Sequence, residues 1–129
     1  MELNKDIRKR DEIIFDSYEP DRYMGGVRIF KNLGLEKVKK LIELKFMDPE
    51  EQFNSCPSIG EFITFMEEYA GYTVSGYAVT DSRTDYSVVI DAISKDGELT
   101  RKEMRDLIHF AKDADEKVIE ENHANCWWD

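Results

Sequence analysis

No stretch of this sequence is long and apolar enough to cross a bilayer, and the opening run MELNKDIRKRDEIIF is charged throughout, without the apolar centre of a signal peptide. The expected compartment is the cytoplasm, with no membrane partner. Cysteine is scarce: Cys56 and Cys126 are too few for a disulfide framework, and a reducing compartment keeps them as thiols. Internal repeats and low-complexity linkers are also missing, so residues 1–129 read as one domain. A glycine-rich phosphate cradle is absent too. The pair Gly25-Gly26 lacks the preceding strand and the Lys-Ser/Thr that follows such a loop. No Ser or Cys stands in a nucleophile elbow. The chain therefore reads as a non-enzyme, with no catalytic residue and no cofactor.

Positive charge is the remaining scarcity, and it is unevenly distributed. Residues 1–57 hold 11 basic and 12 acidic side chains, net −1, whereas residues 58–129 hold 7 and 16, net −9 of the total −10. Direct binding to nucleic acid is disfavoured, because few cations are present to displace phosphate counterions. Such a surface keeps a protein soluble or steers it toward a basic partner. Apolar residues make up 41% of the chain, enough for a core.

What is present alternates between helical and strand periods. Leu3, Ile7, Ile14 and Tyr18 share one helical stripe, and Arg8-Lys9-Arg10 with Asp11-Glu12 reads as its solvated face. Residues 35–46 form a second amphipathic helix, with Leu35, Val38, Leu41, Ile42 and Phe46 inward, and Asp48-Pro49-Glu50-Glu51 starts a short helical turn. Ser58 and Glu61 make a capping box opening a third helix. The period then changes. YTVSGYAVT (72–80) and YSVVIDAIS (86–94) favour strands, and the short polar link DSRTD pairs them as a hairpin. GVRIFK (26–31) supplies a third strand. Thr100 and Glu103 box the start of a last long helix, buried along Met104, Leu107, Ile108, Ala111, Ala114 and Val118 and running to about Asn122. The expected class is α+β: several helices packed on a small antiparallel sheet built around a β-hairpin (72–94), followed by a long C-terminal helix.

Metal chemistry has two near-motifs. SKDGELTRKEM (94–104) resembles the second half of an EF-hand loop, with Asp96 at its fifth position, Gly97 at its sixth and Glu103 at its twelfth. Ala92 and Ser94 stand where the first and third positions need oxygen anions, and a turn into a capped helix accounts for the same letters. His123 and Cys126 have the spacing of a chelating pair, but Cys56 and His109 supply no second pair. A calcium- or zinc-regulated module is thus an alternative function, with no metal ligand assigned.

The tail ENHANCWWD places Trp127 and Trp128 beyond the expected last helix. Such large apolar side chains either fold back as a lid on the core or anchor a partner. Arg83 is the only basic residue in positions 58–94 and stands between Asp81 and Asp85, paired locally or offered outward. Adjacent acids such as Glu67-Glu68 sit on a wet helix face and carry no acid/base signature.

CPSIGEFITFMEEYAGYTVSGYAVTDSRTDY (56–86), with Pro57-Ser58, Glu61-Phe62, Gly76-Tyr77, Arg83 and Asp85-Tyr86, resembles small acidic proteins carried on integrative and conjugative elements of gut anaerobes. The resemblance covers roughly residues 1–93 and brings no activity or site residues, because that group has none assigned. It implies a setting in which small acidic proteins disable host defence, as antirestriction and anti-CRISPR proteins do. The function expected on these grounds is a protein-binding domain that mimics nucleic acid electrostatically and engages a basic surface of a nucleic-acid-binding protein. Its expected contacts are Glu67, Glu68, Asp81, Arg83, Asp85, Asp113, Asp115, Glu116, Glu120 and Glu121, with Trp127 and Trp128 as apolar anchors. A homo-oligomeric accessory protein, with both tryptophans across a subunit boundary, is a further alternative.

Overall fold

A computed structural model describes residues Met1–Asp129. Four helices and five strands alternate along the chain: α1 (Ile7–Phe15), β1 (Val27–Leu33), α2 (Leu35–Glu43), α3 (Ile59–Glu68), β2 (Thr73–Val79), β3 (Ser87–Asp96), α4 (Arg101–Phe110), β4 (Glu116–Glu120) and β5 (His123–Trp127). The strands form one antiparallel sheet in the order β1-β2-β3-β5-β4. Both capping boxes are made, Ser58 with Glu61 and Thr100 with Glu103. Residues 48–51 form a hydrogen-bonded turn, the Glu51 N–H donating to the Asp48 carbonyl, and no helix.

The sheet buries one face. Phe30, Val74, Ala78, Val88, Ile90, Ile93, Ala124, Cys126 and Trp128 join Ile14, Val38, Leu41, Phe62 and Leu107 from the four helices in one apolar cluster. Burial of this kind supplies most of the driving force for folding. On β2, Val74 and Ala78 point inward while Ser75 and Tyr77 point away, a period-2 alternation that ends near the hairpin, where Val79 and Val89 are buried on the second side as well.

The long C-terminal helix does not exist. Helix α4 ends at Phe110, and the last element is the strand β5. Ile108 is 54% exposed and Val118 43% exposed, so two members of the supposed buried helical stripe face solvent. The physical cause is a competing period of two. Ala124, Cys126 and Trp128 alternate inward against the core, while β-branched Val118 and Ile119 suit the partner strand. Glu120 pairs with His123, leaving a two-residue turn at Glu121-Asn122. That turn is tied down from the β3–α4 connection, the Gly97 and Leu99 N–H groups donating to the Asn122 and Glu121 carbonyls.

The solvated face assigned to α1 is also corrected. Arg10 and Asp11 are both 0% exposed and 3.0 Å apart, whereas their neighbours Lys9 and Glu12 are exposed. Tertiary contacts decide this, because the guanidinium reaches the Val79 carbonyl 69 residues away.

One glycine is required by the register. Between Ser75↔Ala92 and Gly76↔Ile90 the ladder skips Asp91, a β-bulge in the central strand. A Cβ on Gly76 would lie 1.8 Å from the Val89 carbonyl oxygen. Gly76→Ala is expected to cost about 3 kcal/mol, the upper part of the overpacking range. Urea denaturation checks this, and a loss below about 1 kcal/mol would show that the β2–β3 pair accommodates the methyl.

Candidate partner-binding face

The second face of the sheet is closed toward the β2–β3 turn, where Val79 and Val89 are buried near Phe53, and open over the rest. A shallow depression of about 460 Å³ runs across it, lined by residues of all five strands and of no helix. The principal lining side chains are Ile29 on β1, Tyr77 on β2, Asp91 and Ala92 on β3, Trp127 on β5 and Glu116 on β4. Register sets them in two rows two residues apart along β2: Ile29 is opposite Tyr77, while Ser75 is opposite Ala92, Ala92 opposite Trp127, and Trp127 opposite Glu116. At about 4.8 Å between strands, the depression spans roughly 19 Å from β1 to β4. Ile29 is 70% exposed. An exposed apolar side chain in one depression with two half-buried aromatics marks a surface suited to association.

Asp91 is the only carboxylate on β3 within that depression. Burial pushes its carboxyl above the ordinary value, and the nearby Trp127 indole offsets part of that rise. Tyr77 is raised as well, by burial first and then by the Asp91 charge.

The adjacent tryptophans part company because successive strand residues face opposite sides. Trp127 lines the open face. Trp128 is 1% exposed, makes edge-on contacts with Phe62 and Phe110 on α3 and α4, and donates its backbone N–H to the Asp91 carbonyl at 2.9 Å. It is part of the core and leaves no side-chain surface for a partner.

The acids expected to form one stripe are dispersed. Asp81 and Asp85 occupy the β2–β3 turn, while Glu120 and Glu121 lie at the β4–β5 turn. These turns flank opposite ends of β3, whose 10 residues extend about 30 Å. Arg83 is held at home: Nε and Nη2 donate to the two Asp85 carboxylate oxygens at 2.9 and 2.8 Å, and Nη1 to the Gly25 carbonyl at 3.0 Å. Glu67 pairs with Lys39 at 3.1 Å, and Glu68 stands 3.5 Å from Lys102. Asp113 is exposed after α4. Asp115 accepts the Asp129 backbone N–H at 2.6 Å. Of the expected acids, Glu116 alone lines the depression.

The near-motifs for metals are also taken apart. His123 and Cys126 are an odd number of residues apart on a strand and so face opposite sides. Nδ1 of His123 is 2.7 Å from Asp96, and Cys126 is fully buried. Burial pushes the Cys56 and Cys126 thiols up to about 11, away from the thiolate form a metal takes. Glu103 spends one oxygen on the Thr100 N–H and the other on Lys95 Nζ at 2.8 Å. Burial raises the Glu103 carboxyl, but those bonds and Tyr72 outweigh it and leave its pKa lowered. Nowhere do three or more His, Cys, Asp and Glu side chains converge as a metal site would require.

Ile29, Tyr77 and Asp91 were not marked by sequence reasoning. The signal for Asp91 was there: it is the single charge inside the apolar run SVVIDAI. Comparisons with protein-family models, with curated proteins and with solved structures return no match. No helix is long and apolar enough to cross a membrane.

Proposed function

We propose that this chain is a non-enzymatic protein-binding domain that sets the open part of its second sheet face against the basic surface of a nucleic-acid-binding protein. The observation that carries the reading is the depression lined by exposed Ile29 and half-buried Tyr77, Ala92 and Trp127, with no helix residue in its lining. A net charge of −10 supplies long-range attraction for a phosphate-binding surface and repels nucleic acid itself. The domain would then occupy a groove shaped for phosphates, as an inhibitor of the anti-CRISPR or antirestriction kind does. The setting implied by the resemblance to mobile-element proteins makes host-defence nucleases the first targets to test.

The test is direct titration against purified defence nucleases at low and high salt. Affinity is expected to fall at least tenfold between about 50 and 500 mM salt, because the Debye length shrinks from about 14 to about 4 Å. Binding indifferent to salt would remove the electrostatic part of this reading, and absence of binding across the panel would remove its target class.

A further inference from the structure

We infer that the depression on the second sheet face receives one arginine side chain of the partner, with Asp91 as counter-ion and Tyr77 and Trp127 as flat apolar flanks. This rests on the partner-binding reading of the face and specifies what the partner must present there.

Pairing comes first. Asp11, Asp16, Glu19, Glu67, Asp85, Glu103 and Asp106 each have a Lys or Arg within 4 Å. Asp91 has none, although it is half-buried. Lys31 is the one cation lining the same depression, and it makes no ion pair. A carboxylate partly withdrawn from water and left without a cation is costly, and one placed among aromatic side chains on an open surface is available to a cation from outside. The raised carboxyl of Asp91 agrees with this geometry.

The form of the cation follows from its surroundings. Asp91, Tyr77 and Trp127 line the same depression. A guanidinium is planar, stacks on such rings and offers a fork to carboxylate oxygens that still have free acceptor sites. An ammonium supplies the charge without the plane. The bulge leaves Asp91 without a partner on β2, and its side chain lines the depression.

The experiment is a ¹H–¹⁵N titration of the full chain with N-acetyl-arginine methylamide, reading both indole N–H signals. Trp127 is expected to shift saturably while buried Trp128 stays still. The norleucine analogue is expected to give no shift, and the lysine analogue a weaker one. Asp91→Asn is expected to weaken the response about tenfold. A thermal melt confirms that this variant folds, and its sign is defined. A carboxyl whose folded pKa is raised contributes stability below the ordinary carboxylate range and loses it as pH rises, so Asp91→Asn should melt higher than the parent at neutral pH and equally near pH 3. An unchanged response in Asp91→Asn, or no Trp127 shift with arginine, overturns the arginine site. If a nuclease still binds and Trp127→Ala still weakens it, the face reading survives that failure. If no nuclease binds either, both fall.

Discussion

Trp128→Ala is expected to remove about 3–5 kcal/mol of stability, whereas Trp127→Ala, one residue earlier, is expected to change stability by less than about 1 kcal/mol. Trp128 lies in the core with ring centroids 5.5 Å from Phe62 and 6.1 Å from Phe110. Alanine there leaves a cavity bounded by two helices and the sheet. Since a domain has roughly 5–15 kcal/mol in all, that loss brings it close to unfolding. The Trp128 indole N–H has no hydrogen-bond partner, so Trp128→Phe sacrifices no bond and should be much milder. Trp127 lies on the open face, where a large aromatic serves as an interface anchor. Trp127→Ala is expected to keep its circular dichroism spectrum while losing about thirtyfold or more in partner affinity, near 2 kcal/mol. Urea denaturation of both variants separates the roles. Equal destabilisation would show that the whole tail is a lid and would empty the proposed face of its anchor.

A second large effect is expected at the other end of the chain, where Arg10→Ala should cost about 3–5 kcal/mol. Nε of Arg10 is 3.0 Å from Asp11, Nη1 donates to the Val79 carbonyl at 2.8 Å, and Nη2 donates to the Tyr23 hydroxyl at 2.9 Å. That hydroxyl in turn donates to the second Asp11 oxygen at 2.6 Å, and the Tyr86 ring lies 4.8 Å from the guanidinium carbon. Burial raises the Tyr23 phenol, and acceptance by Asp11 raises it further. Removing Arg10 leaves the buried Asp11 carboxyl without its cation and with one neutral donor. Removing both charges in Arg10→Met/Asp11→Leu leaves no unpaired charge, so the double variant should recover part of the loss although the Tyr23 hydroxyl and Val79 carbonyl each lose a partner. Chemical denaturation of the single and double variants reads this. A double variant no better than Arg10→Ala would mean that the guanidinium's bonds to Val79 and Tyr23 matter more than the unpaired charge.

Legibility in the sequence followed the reach of the interactions. Ser58 with Glu61 and Thr100 with Glu103 act across three residues, and both boxes are found as read. The runs of β-branched and aromatic residues in β2 and β3 were equally plain, because the hairpin closes within a short polar link. Arg10 was opaque, since adjacent charges on a short helix look solvated until Val79 and Tyr23 arrive from elsewhere. In the segment from Ala111 to Trp128 two periods coexist. Ala111, Ala114 and Val118 fit a helix, Ala124, Cys126 and Trp128 fit a strand, and packing against Phe62 and Ile93 settles the second half. The open face was hidden for a different reason. Tyr77 and Trp127 are apolar at outward positions, and alternation alone does not say which side of a sheet is covered.

The sheet has two edges, β1 and β4, and the second of them carries a charge pattern with a consequence for self-association. Its sequence is EKVIE, and a second β4 laid antiparallel against it about Val118 would set Glu116 opposite Glu120 twice. Like charges directly opposed across strands oppose pairing, so this edge resists growth of the sheet by strand addition. Copies are kept from zipping β4 to β4 in that register, which denies the sheet growth through this edge.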